Sequence, residues 1–306
     1  MPIHHGCVAF RAMQTYHLTW ATVGRQPILP TETARRQFLH ALAAVAGAFI
    51  LLFALVDDHI HLVIHVDPTK FGLLQRSLSK ILRARASAPL ARIDIRPVET
   101  RGHLKNLVSY CLNQPQHHGL PWDPATTTGS CFPDLVGARR IPGLSLPLAT
   151  TLPRFQLREA FDAVGIPVKS LAAVDNETIR GVGAVRLAAL TADALAVDAT
   201  MREKDDRAAY ARRVFAALAA VVGFSTQEVA SALAITPTAT SRLSKRPVES
   251  KDLETVRLRV ALALAAAARP IPEPTPQDTA SYVRESAVAP YELAHARGVS
   301  HLTDHA

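Results

Sequence analysis

The run Asp58-His59-Ile60-His61-Leu62-Val63-Ile64-His65, and a tyrosine in a helix-like stretch at Tyr110, are the residues best suited to chemistry. In a strand alternate side chains share a face, so His59, His61 and His65 point one way and Ile60, Leu62 and Ile64 the other. Two imidazoles on one face are close enough to share a divalent cation, while the apolar face buries itself and holds them rigid. His65 lies about 13 Å along the strand from His61, too far for the same ion. On a helical wheel Leu104, Leu107, Val108, Cys111 and Leu112 form a buried stripe, with Tyr110, Gln114 and His103 on an adjoining face. A phenol with a pKa of about 10 is a weak nucleophile unless its oxyanion is stabilised. A divalent cation polarises a scissile phosphate and stabilises the charge that develops there. Two imidazoles leave the shell of such an ion incomplete. A third ligand such as the side-chain oxygen of Gln114, one turn from Tyr110, would leave positions open for phosphate and water.

These side chains need a frame. Residues 16–23 alternate and are rich in Thr, Tyr and Trp, which predicts a first strand. Residues 24–30 read as a loop containing Arg25, and Thr31-Glu32 opens an alanine-rich helix to about residue 46. Strands are predicted over 49–56 and 59–66, joined around Asp57-Asp58. An amphipathic helix over 68–86 follows, its apolar side made by Phe71, Leu74, Leu78, Ile81 and Leu82. Arg76, Lys80 and Arg83 repeat on another side of it. A strand over 92–98 and a helix over 101–114 complete the order β-α-β-β-α-β-α. That order implies an α+β domain over residues 1–120, a small antiparallel sheet backed by helices. Residues 121–152, rich in Pro, Gly, Thr and Ser, read as a linker. A helical domain is predicted over 153–269 and a poorly ordered tail over 270–306.

The net charge of +8 is unevenly spread. Residues 1–150 carry 15 Lys and Arg against 8 Asp and Glu, and the remainder 19 against 18. The excess sits with the histidines and the tyrosine, which favours a polyanionic substrate, nucleic acid first. Cys7, Cys111 and Cys131 are odd in number and form no CxxC, so no disulfide framework or zinc knuckle is expected, and a reducing cytosol fits. No basic region leads into an apolar signal core. Residues 41–56 are uncharged but shorter than the roughly 18–20 residues of a spanning helix, and Gly47 divides them. The end of a helix followed by a buried strand explains them better.

In the second region Ser225 and Thr226 suit an N-cap, with Glu228 three residues after Ser225 as in a capping box. Thr236 can cap a following helix with Pro237 at its first position. Ala230, Leu233, Ile235 and Leu243 supply small buried contacts, and Ala234 stands where a turn of this kind often has glycine. Thr238, Thr240, Ser241, Arg242, Lys245 and Arg246 give the second helix a polar, basic face suited to a DNA groove. The pattern resembles the helix-turn-helix of replication initiators and regulators. The helix expected at 253–268 packs against it.

A histidine-hydrophobic-histidine strand followed by a helix with one tyrosine resembles the HUH endonucleases. Tyr16-His17-Leu18-Thr19-Trp20, the stretch from Val56 to Val63, and Tyr110-Cys111-Leu112-Asn113-Gln114-Pro115 are together similar to the single-tyrosine transposases, and most to the REP-associated group. The likeness covers residues 15–120. It implies a ferredoxin-like HUH core and a metal-dependent endonuclease and strand transferase acting on single-stranded, hairpin-forming DNA. In that reading His59, His61 and Gln114 bind Mg²⁺ or Mn²⁺, and Tyr110 forms a 5′-phosphotyrosine and frees a 3′-OH. The family commonly has asparagine where this chain has Asp58, which is expected to point away from the histidines as a turn residue. Arg25, Arg76, Lys80 and Arg83 are the expected phosphate contacts, and His117 and His118 are given no role. The implied partner is DNA, single-stranded or hairpin, with duplex possible through the helix-turn-helix. No membrane is involved, the protein is a monomer or homodimer, and the setting is cytoplasmic and nucleoid-associated.

Two other enzyme readings fit less well. The histidine-triad nucleotide hydrolases space their histidines HxHxH, whereas here the third comes four residues after the second. A zinc-hydrolase barrel built on HxH needs more strands than residues 1–120 supply. The rival of another class is a DNA-binding regulator on a nuclease scaffold that no longer cuts. The presence of His59, His61, Tyr110 and Gln114 together argues against it.

Overall fold

The computed structural model describes residues 13–171 and 174–269. The expected tail over 270–306, and Cys7, lie outside these residues. In chain order the first elements are β1 (Gln14–Ala21), α1 (Glu32–Ala46), β2 (Ile50–Leu55), β3 (His59–Val66), α2 (Pro68–Arg83), β4 (Asp94–Val98) and α3 (Arg101–Leu112). The strands form one antiparallel sheet in the order β2-β3-β1-β4, so the chain is α+β as its pattern predicts. Helix starts follow their local signals. Thr31 accepts from the amide of Ala34, Asp67 from that of Thr69 ahead of Pro68, and Thr100 from that of His103. The uncharged stretch 41–56 divides between α1 and β2, and no helix among the described residues is long and apolar enough to cross a membrane.

Strand register separates two chemistries. One face of the sheet carries Leu18, Trp20, Ile60, Leu62 and Ile64, all buried, with α2 packed on it. There Tyr16 stacks on Phe71 at 3.9 Å between ring centres, and Trp20 Nε1 donates to Ser79 Oγ at 3.1 Å. The other face carries Thr15, His17 and Thr19 of β1 beside His65, Val63 and His61 of β3. Across it lies α3, which buries Leu104, Leu107, Val108, Cys111 and Leu112.

Residues 121–152 are not the open linker that their composition predicts. They contain α5 (Phe132–Leu135) and α6 (Leu148–Thr151), after a short α4 (Gln114–His117). Cys131, Phe132, Ala138 and Ile141 join the first core. Leu55 donates its amide to the Gly129 carbonyl at 2.8 Å, and Ser145 to that of Gly47 at 3.2 Å. A Cβ at Gly47 or Gly129 would collide with backbone oxygens of Gly143 or Leu55, so glycine here marks close packing rather than looseness. Buried Arg139 holds the segment together, its Nε on Asp134 at 2.9 Å and its Nη1 on the Thr128 carbonyl at 3.0 Å.

The first core also extends past residue 152 into α7 (Leu157–Val164), where Phe161 meets Phe132 edge-on at 5.2 Å. The expected boundary at 152/153 therefore cuts through packed structure. A second, all-helical core is built by α8 (Asn176–Val182), α9 (Ala184–Ala194), α10 (Asp206–Val222), α11 (Thr226–Leu233), α12 (Pro237–Ser244) and α13 (Ser250–Ala267). Arg259, buried in α13, ties the two together: it donates to the Ala125 carbonyl at 3.0 Å and pairs with Asp193.

Candidate functional site

His59 and His61 lie side by side on β3, ring centres 4.7 Å apart and planes at right angles. Both are buried, at 4 % and 3 % exposure, and each ring is gripped through Nδ1. His59 Nδ1 is 2.5 Å from Asp58 Oδ1. His61 Nδ1 is 3.1 Å from His17 Nε2 and 3.3 Å from Thr19 Oγ1. With Nδ1 engaged, the nitrogen left to each ring is Nε2, and His61 Nε2 is buried with no hydrogen-bond partner.

One expectation is corrected here. Asp58 does not point away from the histidines but orients His59, and the half-exposed Arg25 reaches its Oδ2 at 3.2 Å. The alternation of a strand fails at its first turn residue because β3 begins only at His59, which leaves the Asp58 side chain free to fold back. Burial alone would push the Asp58 carboxyl up, but the hydrogen bond and charge of His59, with Arg25 behind them, outweigh it and hold the group below its ordinary value. His61 is driven well below the ordinary imidazole value, first by burial and then by the charges of His59, His17 and His118, while the nearby Gln114 side chain, which makes no hydrogen bond of normal geometry to it, acts the other way. It is thus neutral at pH 7, the form that binds a metal.

Tyr110, half buried on α3, faces this pair, its ring centre 5.1 Å from that of His61 and 6.2 Å from that of His17. The helix does not run to Gln114 as predicted. It stops at Leu112, and Asn113 (φ −96°, ψ 8°) starts the single turn of α4. Pro115 accounts for the break, since it has no amide to donate and its ring collides with the carbonyl four residues back. Gln114 nevertheless arrives at the site: its Nε2 donates to the Tyr110 carbonyl at 3.3 Å, and its Oε1 is buried with no hydrogen-bond partner. The break also turns two histidines inward that the sequence reading passed over. His118 lies 4.6 Å from His59 and His117 lies 6.3 Å from Tyr110, ring centre to ring centre. His17 was missed as well, although aligning the alternation of 16–20 with that of 59–63 puts it on the histidine face.

The remaining residues fall elsewhere. His65 meets Thr15 Oγ1 at 2.9 Å, further along β3, and His103 is exposed. Arg76, Lys80 and Arg83 are exposed on α2, which covers the face opposite the histidines. A cation in register on the histidine face is Arg96 of β4, paired across the sheet with His17, its side chain 56 % exposed and its Nε on Asp94 at 2.8 Å. In the helical region Ser225 and Glu228 form the expected capping box, Thr236 caps α12, and Ala234 takes the left-handed conformation at φ 53°. Thr238, Arg242, Lys245 and Arg246 are exposed and Ser241 partly so. Thr240 is the exception: it is buried, and its hydroxyl donates to the Thr236 carbonyl at 3.3 Å, so it offers nothing to a groove.

Among the described residues no group of three or more His, Cys, Asp or Glu side chains is placed to hold a metal ion. Two histidines and a glutamine are a different donor set. Two of its donor atoms, His61 Nε2 and Gln114 Oε1, are buried polar atoms lacking the partner that such atoms nearly always have. Compared with known protein families, curated proteins and solved structures, the chain matches none.

Proposed function

We propose that this chain is a metal-assisted tyrosine endonuclease and strand transferase acting on single-stranded, hairpin-forming DNA, as its likeness to the REP-associated tyrosine transposases implies. The observation that carries the reading is the pair of partnerless buried atoms, His61 Nε2 and Gln114 Oε1, beside the Tyr110 ring. The strand order β2-β3-β1-β4 with β-α-β-β-α-β connections is that of ferredoxin-like folds and supports the reading.

His59, His61 and Gln114 would hold Mg²⁺ or Mn²⁺. The bound ion would polarise the scissile phosphate and stabilise the charge gathering on its oxygens. The Tyr110 oxygen attacks phosphorus, a phosphotyrosine P–O bond forms, and the P–O3′ bond breaks. The 3′ oxygen leaves with a proton as a 3′-OH, and the 5′ phosphate stays on the enzyme. Attack by another 3′-OH reverses the step and joins strands with no external energy. On the tyrosine side of the sheet Arg96 is the phosphate contact, while Arg76, Lys80 and Arg83 serve DNA that wraps to the far face. Thr238, Ser241 and Arg242 of α12, with Lys245 and Arg246 just past its end, contact a duplex groove through the second helix of a helix-turn-helix.

One observation favours a second reading, DNA recognition without cleavage: His59, His61 and Gln114 are all closed off from solvent. A covalent-trapping assay separates the two. Labelled hairpin oligonucleotides are incubated with protein and Mg²⁺, Mn²⁺ or chelator, then run on denaturing gels. The endonuclease gives a metal-dependent shifted band that Tyr110→Phe lacks while keeping hairpin affinity. Tight hairpin binding with no band in either metal would leave a recognition protein on an inactive nuclease scaffold.

A further inference from the structure

The two histidines of β3 are gripped by different chemistry. His59 leans on a carboxylate, which can only accept, so Nδ1 is the protonated nitrogen and, in the neutral ring, Nε2 keeps the lone pair. His61 leans on a second imidazole, which can accept or donate. Nothing intrinsic to His61 selects the useful tautomer, and an isolated imidazole prefers its proton on Nε2. The neighbour at Nδ1 must therefore make the choice.

We infer that His17 is a positioning residue that accepts a hydrogen bond from His61 Nδ1–H and so keeps the lone pair of His61 on Nε2, facing the metal position. The geometry stands on the strand register. His17 and His61 sit on the same face of adjacent strands, their rings 5.2 Å apart and their nitrogens 3.1 Å apart. Thr19 Oγ1, at 3.3 Å, is the longer and secondary contact. The nitrogen this arrangement leaves bare, His61 Nε2, is buried and makes no hydrogen bond of normal geometry, as a ligand atom held ready would be. The His17 ring also lies edge-on to Tyr110 at 6.2 Å, so its own orientation is limited by the helix that carries the nucleophile.

The role of His17 rests on the proposed function and deepens it at the same site, but its first test does not require the metal reading to be right. Long-range ¹⁵N–¹H spectra of the metal-free protein report which nitrogen of His61 carries the proton. Protonated Nδ1 with a bare Nε2 is expected. Protonated Nε2 overturns the inference even if the protein cuts DNA. The second test titrates Mn²⁺ into wild type, His17→Phe, His17→Gln and Thr19→Val, following free Mn²⁺ by electron paramagnetic resonance and the fold by thermal melting. His17→Phe should weaken Mn²⁺ binding about 10- to 100-fold, the usual cost of losing an outer partner of a metal-binding histidine. His17→Gln keeps an acceptor oxygen and should recover most of the loss, and Thr19→Val should cost less than His17→Phe. Unchanged affinity in a folded His17→Phe, or no recovery with His17→Gln, or a larger loss in Thr19→Val, would overturn the role of His17. A wild type that binds no Mn²⁺ removes the metal reading, and the ¹⁵N spectrum alone then decides the tautomer.

Discussion

At the histidine site the polar atoms are buried and each ring is held by a neighbour, whereas the polar residues of α12 stand largely in solvent. His59 and His61 are fixed by Asp58, His17 and Thr19, and Asp58 in turn by Arg25. Thr238, Arg242, Lys245 and Arg246 are exposed, on α12 or just past its end. The difference matters because electrostatic interactions strengthen when water is excluded and fade when it is not. A change at the first region should be large and insensitive to salt. A change at the second should be graded and salt-dependent.

The largest effect expected is at Asp58. Asp58→Ala strips His59 of its anchor and leaves a buried ring nitrogen unsatisfied, so Mn²⁺ affinity should fall about 100-fold, toward the upper end for outer partners of metal ligands. Asp58→Asn keeps an acceptor oxygen without the charge and should lose about tenfold. Arg25→Ala, which removes a half-exposed partner, should cost less than either. Isothermal titration with Mn²⁺ at low and high salt measures all three. If Asp58→Ala binds Mn²⁺ as wild type does, the buried anchor is irrelevant and the contrast between the regions collapses.

How far each region could be read in advance follows the same division. The helical pair was legible down to its caps: Ser225 with Glu228 and Thr236 with Pro237 are signals carried within four residues. Strands, helix order and the histidine face were legible too, because period-two alternation is local. The partners of the histidines were not. His17 is 44 residues from His61, and only strand pairing brings them together. Asp58 escaped because alternation was extended one residue beyond the strand that enforces it. His118 depended on the break at Pro115, a signal that was present but was read as falling after the helix. The 121–152 segment was misread for another reason. Glycine, serine and threonine mark loops on average, yet at Gly47 and Gly129 smallness is what lets two backbones touch.

A smaller, salt-dependent effect is expected on α12. Removing one cation that contacts phosphate, as in Arg242→Ala or Lys245→Ala, should lower the slope of log affinity against log salt by about 0.9 for duplex DNA. Thr240→Val should leave that slope alone and instead lower stability by about 1 kcal/mol, the net worth of its hydrogen bond to the Thr236 carbonyl. Fluorescence anisotropy across a salt series checks the first pair, and urea unfolding the third. A salt slope unmoved by both Arg242→Ala and Lys245→Ala would take duplex DNA off this face.

The smallest effect has the opposite sign. Ala234 closes α11 in the left-handed conformation, with its amide on the carbonyls of Ala230 and Ser231, so the chain bends through a residue that bears a Cβ. For an L-residue that conformation costs about 1–2 kcal/mol. Glycine removes the cost but gives up about 0.5–1 kcal/mol in unfolded-state freedom. The difference favours Ala234→Gly by about 0.5–1 kcal/mol, read as a rise in the urea midpoint followed by helix signal with the slope unchanged. Because Ala234 is exposed and lies outside the proposed DNA-contacting set, the gain should come with no change in DNA affinity. A loss of stability instead would mean that the turn between α11 and α12 is not left-handed, and the presentation of Arg242 and Lys245 would have to be reconsidered with it.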